Sequence, residues 1–397
     1  MNPATERMQR LALWVACSSA VAPVVSIAAS HILLGAALAM MLVARSRPVW
    51  TPAWPPLLFF MGWSLLSLAA SGDVWAGLPQ VRKFYVLAAL VVLATLVRRL
   101  EPIRSVVWGW AAAGAASSLW AGIQFYGKWR RSSGGDFYLD YVADRVTGFM
   151  SHWMTFSGVV MIALLFVLAH LLFARRSRKE RYLLAAAVAV MSVGLVLGWT
   201  RSVWLGCLCG AAYLIWNWRK LAILALPAAL GLGFVMAPPS LKQRAVSVLR
   251  PHGERDSNQH RAVTRGIGWQ MIKAHPWFGV GPEQVARQYK KYLPPGTAQI
   301  PDGFYGHLHN IYFQFAAERG VPALVALLWC VLASAVLFLR ALGRRPPPAE
   351  TAILHGAVAV TVAILATGYF EHNLGDSEVL QLYLTVLAFG FTAAQRA

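Results

Sequence analysis

Three short stretches of this chain hold residue types that can do chemistry. The first, Trp199-Thr200-Arg201-Ser202-Val203-Trp204, sets one arginine between two apolar runs. A lone guanidinium in a short apolar hairpin, with no acid beside it in sequence, is costly there. It either snorkels to an interface or marks a functional site. In the second, Arg261 and Arg265 stand four residues apart within 259–274, where the periodicity predicts a helix with Arg261, Arg265, Trp269 and Ile272 on one face. Such a face is either a solvated surface or a place to bind an anion. The third stretch is Gly306-His307-Leu308-His309-Asn310, directly ahead of an apolar run. Its histidines lack the i, i+4 spacing of a helical zinc site, and the acid near them in sequence is Asp302. A neutral imidazole in this position fits a general base better than a metal ligand.

The elements that must position these residues are membrane helices. Of the 397 residues, 58% are hydrophobic and 13% charged, whereas a soluble domain carries about 25% charged residues. The apolar residues come in twelve runs, near 11–27, 30–44, 54–70, 84–97, 105–125, 152–174, 182–199, 202–218, 221–237, 321–340, 351–370 and 378–395. Several are shorter than an untilted span, with Trp and Tyr at their ends to extend them. The second run follows the first too closely for the first to be a cleaved signal. The cysteines Cys17, Cys207, Cys209 and Cys330 all fall inside apolar runs, form no CxxC pair and read as packing residues.

Net charge is +20, a value that in a soluble protein would suggest nucleic acid. Here the basic residues sit in short clusters between apolar runs, such as Arg98/Arg99/Arg104 and Arg175/Arg176/Arg178/Lys179/Arg181. With the N-terminus in the cytoplasm, the inner loops hold 18 Lys and Arg and the short outer loops seven. That bias predicts both termini inside and residues 238–309 outside. The expected organisation is a transmembrane bundle over 1–237 (helices 1–9), an outer loop domain with short helices over 238–309, and helices 10–12 over 310–397. The outer segment holds ten Lys and Arg against Glu254, Asp256, Glu283 and Asp302. Its charge fits either anionic lipid headgroups or an anionic substrate at the membrane face. No internal repeat, P-loop or Rossmann fingerprint appears.

The strings Lys273-Ala-His-Pro-Trp-Phe-Gly-Val-Gly-Pro-Glu-Gln284 and His307-Leu-His-Asn-Ile-Tyr-Phe-Gln-Phe-Ala-Ala-Glu-Arg-Gly-Val-Pro-Ala323 resemble the O-antigen ligase and polymerase superfamily of bacterial envelope enzymes. Its ligases carry His-Asn, nine residues, then Gly-x-x-Gly. This chain has His309-Asn310, nine residues, then Gly320-Val321-Pro322-Ala323, with Ala in place of the last Gly. Thr200-Arg201-Ser202 and an arginine shortly before Trp269 also match. The resemblance covers the helix number, the large outer loop and about residues 199–330.

The resemblance implies an all-α, GT-C-like integral membrane protein of about twelve helices in the bacterial inner membrane. It would be an O-antigen ligase of lipopolysaccharide biosynthesis, moving a glycan from undecaprenyl pyrophosphate to a hydroxyl of lipid A–core oligosaccharide at the periplasmic face. No cofactor and no nucleic acid enter; lipid is the remaining partner. Arg201 and Arg265 would hold the pyrophosphate in place of a metal, because guanidinium grips phosphate bidentately and stays charged, and the sequence has no DxD-like acidic cluster. His309 would be the base. It precedes Asn310 at the predicted start of a helix through 311–318, so it is held more firmly than His307 in the loop before it. Arg261, His307, Asn310 and Trp269 would support the site. A single displacement with one base implies inversion; the retaining route would need paired carboxylates.

Within the superfamily the alternatives are an O-antigen polymerase and a protein O-oligosaccharyltransferase. Ending at Ala397, soon after the last apolar run, favours the ligase over the often longer transferases. A transporter of lipid-linked glycan belongs to another class. It should show repeat symmetry and polar residues at mid-membrane, and neither is evident. The topology predicts that single cysteines placed near Pro251 and Pro295 react with a membrane-impermeant thiol reagent in cells permeable only at the outer membrane. Labelling that requires inner-membrane lysis would reverse the orientation.

Overall fold

A computed structural model describes residues 3–132, 137–247, 257–297, 300–301 and 303–397. Pro251, Glu254, Asp256 and Asp302 lie outside the described residues, within which there is no strand. The first half of the chain forms α1 (Pro3–Val21), α2 (Ile27–Val43), α3 (Trp54–Ala70), α4 (Val74–Arg82), α5 (Ala88–Leu96), α6 (Leu100–Arg131), α7 (Phe137–Ala143), α8 (Trp153–Phe173) and α9 (Arg178–Leu197). The second half forms α10 (Arg201–Trp218), α11 (Ala225–Met236), α12 (Pro239–Val246), α13 (Ser257–Ala274), α14 (Val285–Gln288), α15 (Ile311–Arg319), α16 (Val321–Gly343), α17 (Pro348–Gly368) and α18 (Ser377–Ala394).

All twelve apolar runs fall on helical backbone. Among the described residues, seven helical stretches are long and apolar enough to cross a membrane: Val74–Leu96, Leu100–Arg131, Trp153–Phe173, Arg178–Leu197, Val321–Gly343, Pro348–Gly368 and Ser377–Ala394. Ile27–Val43, Trp54–Ala70 and Lys220–Met236 are apolar but shorter. The other two expected spans fall on α1, which carries Glu6, Arg7 and Arg10, and on α10, which starts at Arg201. Length and hydropathy therefore account for seven crossings, and the remaining five runs are shorter or more polar. That the surroundings are apolar is plain from α11. It is hydrophobic along its length yet buries no residue, with Leu232, Val235 and Met236 exposed. Such a helix needs a nonaqueous neighbour.

The bundle centre is built from α8, α17 and α18. Each is apolar all round and buried on nearly every face, as expected for a helix surrounded by others. Against α17 packs α10, and the approach is close because Gly206 and Gly210 stand four apart on α10. A Cβ on Gly206 would collide with Thr367 and sit 2.7 Å from the Ala363 carbonyl oxygen; on Gly210 it would sit 2.9 Å from that of Ala359. This is the small-residue seam by which membrane helices associate. It holds the N-terminus of α10 beside the C-terminus of α17.

The described residues of 238–309 lie at that same end. The helix predicted over 259–274 is α13. The one predicted over 283–292 is α14 followed by a 3₁₀ turn, Tyr289–Tyr292. A small core of Ile267, Met271, Val280, Val285, Leu308 and Ala317 joins α13 to α15. The Pro276–Pro282 turn docks along the end of α15: Val280 N donates to Ala317 O (2.8 Å), Gly281 N to Glu318 O (2.9 Å), and Val321 N to Pro276 O (2.8 Å). From α3, Trp63 Nε1 donates to Trp277 O (2.9 Å) and Ser67 Oγ to Phe278 O (2.6 Å). Gly320 sits in this seam with φ +82°, and a Cβ there would strike the Trp277 carbonyl. The position thus demands glycine twice over, for its backbone angle and for its contact. Gly320→Ala should destabilise the protein by about 1–3 kcal/mol. Thermal unfolding in detergent should show a lower midpoint and proteolysis a faster cut within 238–309; an unchanged midpoint would contradict this account of the seam.

Candidate functional site

Where α10, α13, α15 and α17 meet lies a buried carboxylate, Glu371, just past the end of α17. Arg261 of α13 forms an ion pair with its Oε1, Ser202 Oγ of α10 donates to the same oxygen (3.4 Å), and His309 Nδ1 faces Oε2 at 3.4 Å. Burial pushes this carboxyl up, but Arg261, His309 and His307 together outweigh it and hold it below the usual carboxylate range. Glu371 is therefore ionised at neutral pH.

His309 is placed by local structure on both sides. Asn310 is fully buried and caps α15: its Oδ1 accepts from Phe313 N (2.9 Å) and its Nδ2 donates to Tyr369 O (2.8 Å). Leu308 N donates to Gln314 Oε1 (2.7 Å). Between these anchors His309 takes a left-handed backbone angle, φ +50°, a strained conformation for a residue with a side chain. Its Nε2 lies 3.2 Å from Phe304 O. The His307 ring packs 4.2 Å from that of His309 and the His260 ring 5.1 Å. Burial and the neighbouring histidines pull His307 down to about 2; burial, His309 and Arg261 pull His260 to about 4. Both are thus uncharged at neutral pH.

Around Glu371 gather more arginines than Arg261. Burial pulls Arg145 down to about 9, helped by the positive fields of Arg244, Arg261 and Arg201, against which Glu371 acts. Arg201, the first residue of α10, donates through Nη1 to Ser247 O (2.6 Å) and Ser247 Oγ (3.0 Å) at the end of α12. Arg244 of α12 is buried and donates through Nε to Trp199 O (3.1 Å). Trp199, with φ +46°, is packed in a cage of Phe137, Tyr138 and Tyr141. So α12 folds back over the 198–201 turn and brings Arg201 and Arg244 to one place. The arrangement can hold an anion with several oxygens and, beside it, move a proton at His309.

Among the residues picked from sequence, Arg201, Arg261, His307, His309 and Asn310 converge here. Arg265 lies a turn from Arg261; its Nε donates to Arg261 O (3.2 Å) and its guanidinium carbon stands 5.9 Å over the Tyr369 ring. Trp269, one turn farther along α13, is exposed and capped by Lys273 Nζ at 5.8 Å from the ring. Sequence reading did not single out Glu371, Arg145, Arg244 or His260. The one signal for Glu371 was an acid in Phe370-Glu371-His372-Asn373, set between the last two apolar runs. Among the described residues, no three His, Cys, Asp or Glu side chains form a metal-ligand group.

Comparison with curated proteins returns no match. Residues 186–328 match a family model described as O-antigen ligase. The matched stretch runs from α9 into α16 and contains Arg201, Arg261, Arg265 and His309, while Arg145 and Glu371 lie outside it. The segment that carries the arginines and the histidine is thus similar to the O-antigen ligase family.

Proposed function

We propose that this protein is an O-antigen ligase, a metal-independent inverting glycosyltransferase of the inner membrane. Its twelve helices cross in a GT-C-like arrangement with both termini cytoplasmic and the site periplasmic. It would carry O-antigen from undecaprenyl pyrophosphate to a hydroxyl of lipid A–core oligosaccharide. The similarity of residues 186–328 to the O-antigen ligase family supports action on a lipid-linked glycan. The observation that carries the reading is a histidine held against a buried carboxylate beside clustered arginines.

In this mechanism the pyrophosphate lies against Arg201 and Arg265, with Arg145 and Arg244 adding positive field. Stabilising the charge that grows on the leaving group is usually the largest catalytic contribution. Glu371 accepts Nδ1–H of His309, which fixes the tautomer and leaves the Nε2 lone pair for the acceptor. The acceptor hydroxyl takes the place that Phe304 O now holds at Nε2. Its oxygen attacks the anomeric carbon, its proton passes to Nε2, and the C1–O bond breaks with the electron pair leaving on pyrophosphate. The imidazolium so formed is stabilised by Glu371. A polymerase would use the same parts with a second lipid-linked glycan as acceptor. Offering purified protein both acceptors with one donor decides between the two: extension of lipid A–core supports the ligase, and extension of the lipid-linked glycan alone refutes it.

His309→Ala should lower transfer by about 10²–10⁴ at matched membrane levels and leave donor binding intact, whereas His307→Ala should cost much less. An active His309→Ala beside a dead His307→Ala would move the base by two residues. Arg201→Lys and Arg265→Lys should each impair turnover, since lysine keeps charge but loses the planar fork; two variants with wild-type rates would reduce both arginines to surface charge. Excess chelator should leave the rate unchanged, and a loss restored by magnesium or manganese would reject the metal-free route.

A further inference from the structure

Next to the His309–Glu371 pair, a second wall of the site carries no arginine. Here lies a cavity of about 60 Å³, bounded by His152, His307, Glu371, His372, Asn373 and Asp376 and closed below by apolar side chains of α8 and α17. That is room for a few water-sized groups such as hydroxyls, and too little for a whole sugar ring. Asn373 is 8% exposed. Its Nδ2 donates to Ile364 O (3.1 Å), and a carbonyl partner requires the NH₂ group there, so the amide orientation is fixed. Asn373 Oδ1 is then left buried with no hydrogen-bond partner among the described residues, and so is Nδ1 of the adjacent His372. Buried polar atoms without partners are uncommon and point to a missing water or ligand group.

The chemistry of this wall is that of uncharged rings and an amide beside carboxylate acceptors. Burial pulls His372 down to about 3, and His307 to about 2, so both rings are uncharged. Burial pushes Asp376 up to about 6, and its Oδ2 accepts from Thr155 Oγ1 (3.0 Å). Uncharged rings, an amide and carboxylate acceptors suit hydroxyls and do nothing to hold a phosphate. An in-line displacement also sets the attacking oxygen on the far side of the anomeric carbon from the leaving group. With pyrophosphate on the arginines, the nucleophile must come from elsewhere, and this is the polar wall that shares Glu371 and His307 with the base.

We infer that the cavity under Glu371 receives the hydroxyl-bearing edge of the acceptor sugar, with Asn373 Oδ1 and His372 Nδ1 bonding its hydroxyls and Asp376 completing the subsite. The inference rests on the glycosyl-transfer reading above.

Its test is a split of Michaelis constants in the full-length protein in nanodiscs, with lipid A–core and the lipid-pyrophosphate glycan varied separately. The variants are Asn373→Ala and Asp376→Asn; the second keeps side-chain shape and guards against a fold defect. Each should raise the acceptor KM by roughly three- to tenfold, the effect of one hydrogen bond, with donor KM unchanged. Core oligosaccharide freed of lipid A should inhibit competitively against the acceptor and lose potency by the same factor. An unchanged acceptor KM in both variants, or a rise confined to the donor, overturns the subsite. Should the wild type extend only a lipid-linked glycan, the ligase reading fails, and the same split with that acceptor still decides the cavity.

Discussion

The ion pair between Glu371 and Arg261 ties the structure to its site. A carboxylate at the bundle end is out of water on every side and must be paired. Its partner arrives from α13, a helix of the segment outside the apolar runs, and its second oxygen faces His309. Breaking a buried pair by removing one partner costs about 3–5 kcal/mol. The pair therefore draws α13 and the 303–309 loop onto α17, and whatever orders α13 also orders the histidine. Arg261 offsets the charge of Glu371, and Arg145, Arg201 and Arg244 gather beside the pair. The net field stays positive, which suits an anionic leaving group, while Glu371 keeps a local preference for cation at His309.

Two seams of small residues hold the members of this pair in reach. Gly206 and Gly210 let α10 lie close on α17, so that Ser202 touches Glu371 and Arg201 emerges beside it. Gly320 lets the Pro276–Pro282 turn lie close on the end of α15, so that α13, which precedes the turn, is anchored from its far end. Side chains in the second seam are also paired. Glu318 accepts from Glu283 N at 3.0 Å and pairs with Arg319 at 3.1 Å. Burial raises the Glu318 carboxyl to about 7, with Arg319 opposing. The described part of 238–309 is thus clamped at Glu371 and again at Glu318.

What could be read from the sequence was what is encoded locally. Helical runs follow from apolar length, and all twelve lie on helices, although only seven meet a full span. Asn310 announces a helix start because a cap needs only its own next turn, and His309 follows from it. Arg201 stood out because a charge in an apolar hairpin is costly. Glu371, Arg145 and Arg244 were illegible for the opposite reason. Each is an ordinary loop or helix-end residue whose meaning comes from partners more than 40 positions away. A search for acidic clusters passes over a single buried acid matched to arginines. The choice between Arg261 and Arg265 was likewise not local: both lie on one helical face, and only the position of Glu371 tells which is drawn into the ion pair.

The central claim is a single in-line displacement with His309 as base and pyrophosphate as leaving group. Stereochemistry tests it most directly. Purified protein in liposomes would be given an undecaprenyl-pyrophosphate glycan of defined α configuration together with lipid A–core, and the anomeric coupling of the new linkage read by NMR. The account predicts a β linkage. An α linkage would require a covalent intermediate or a second displacement and would contradict it.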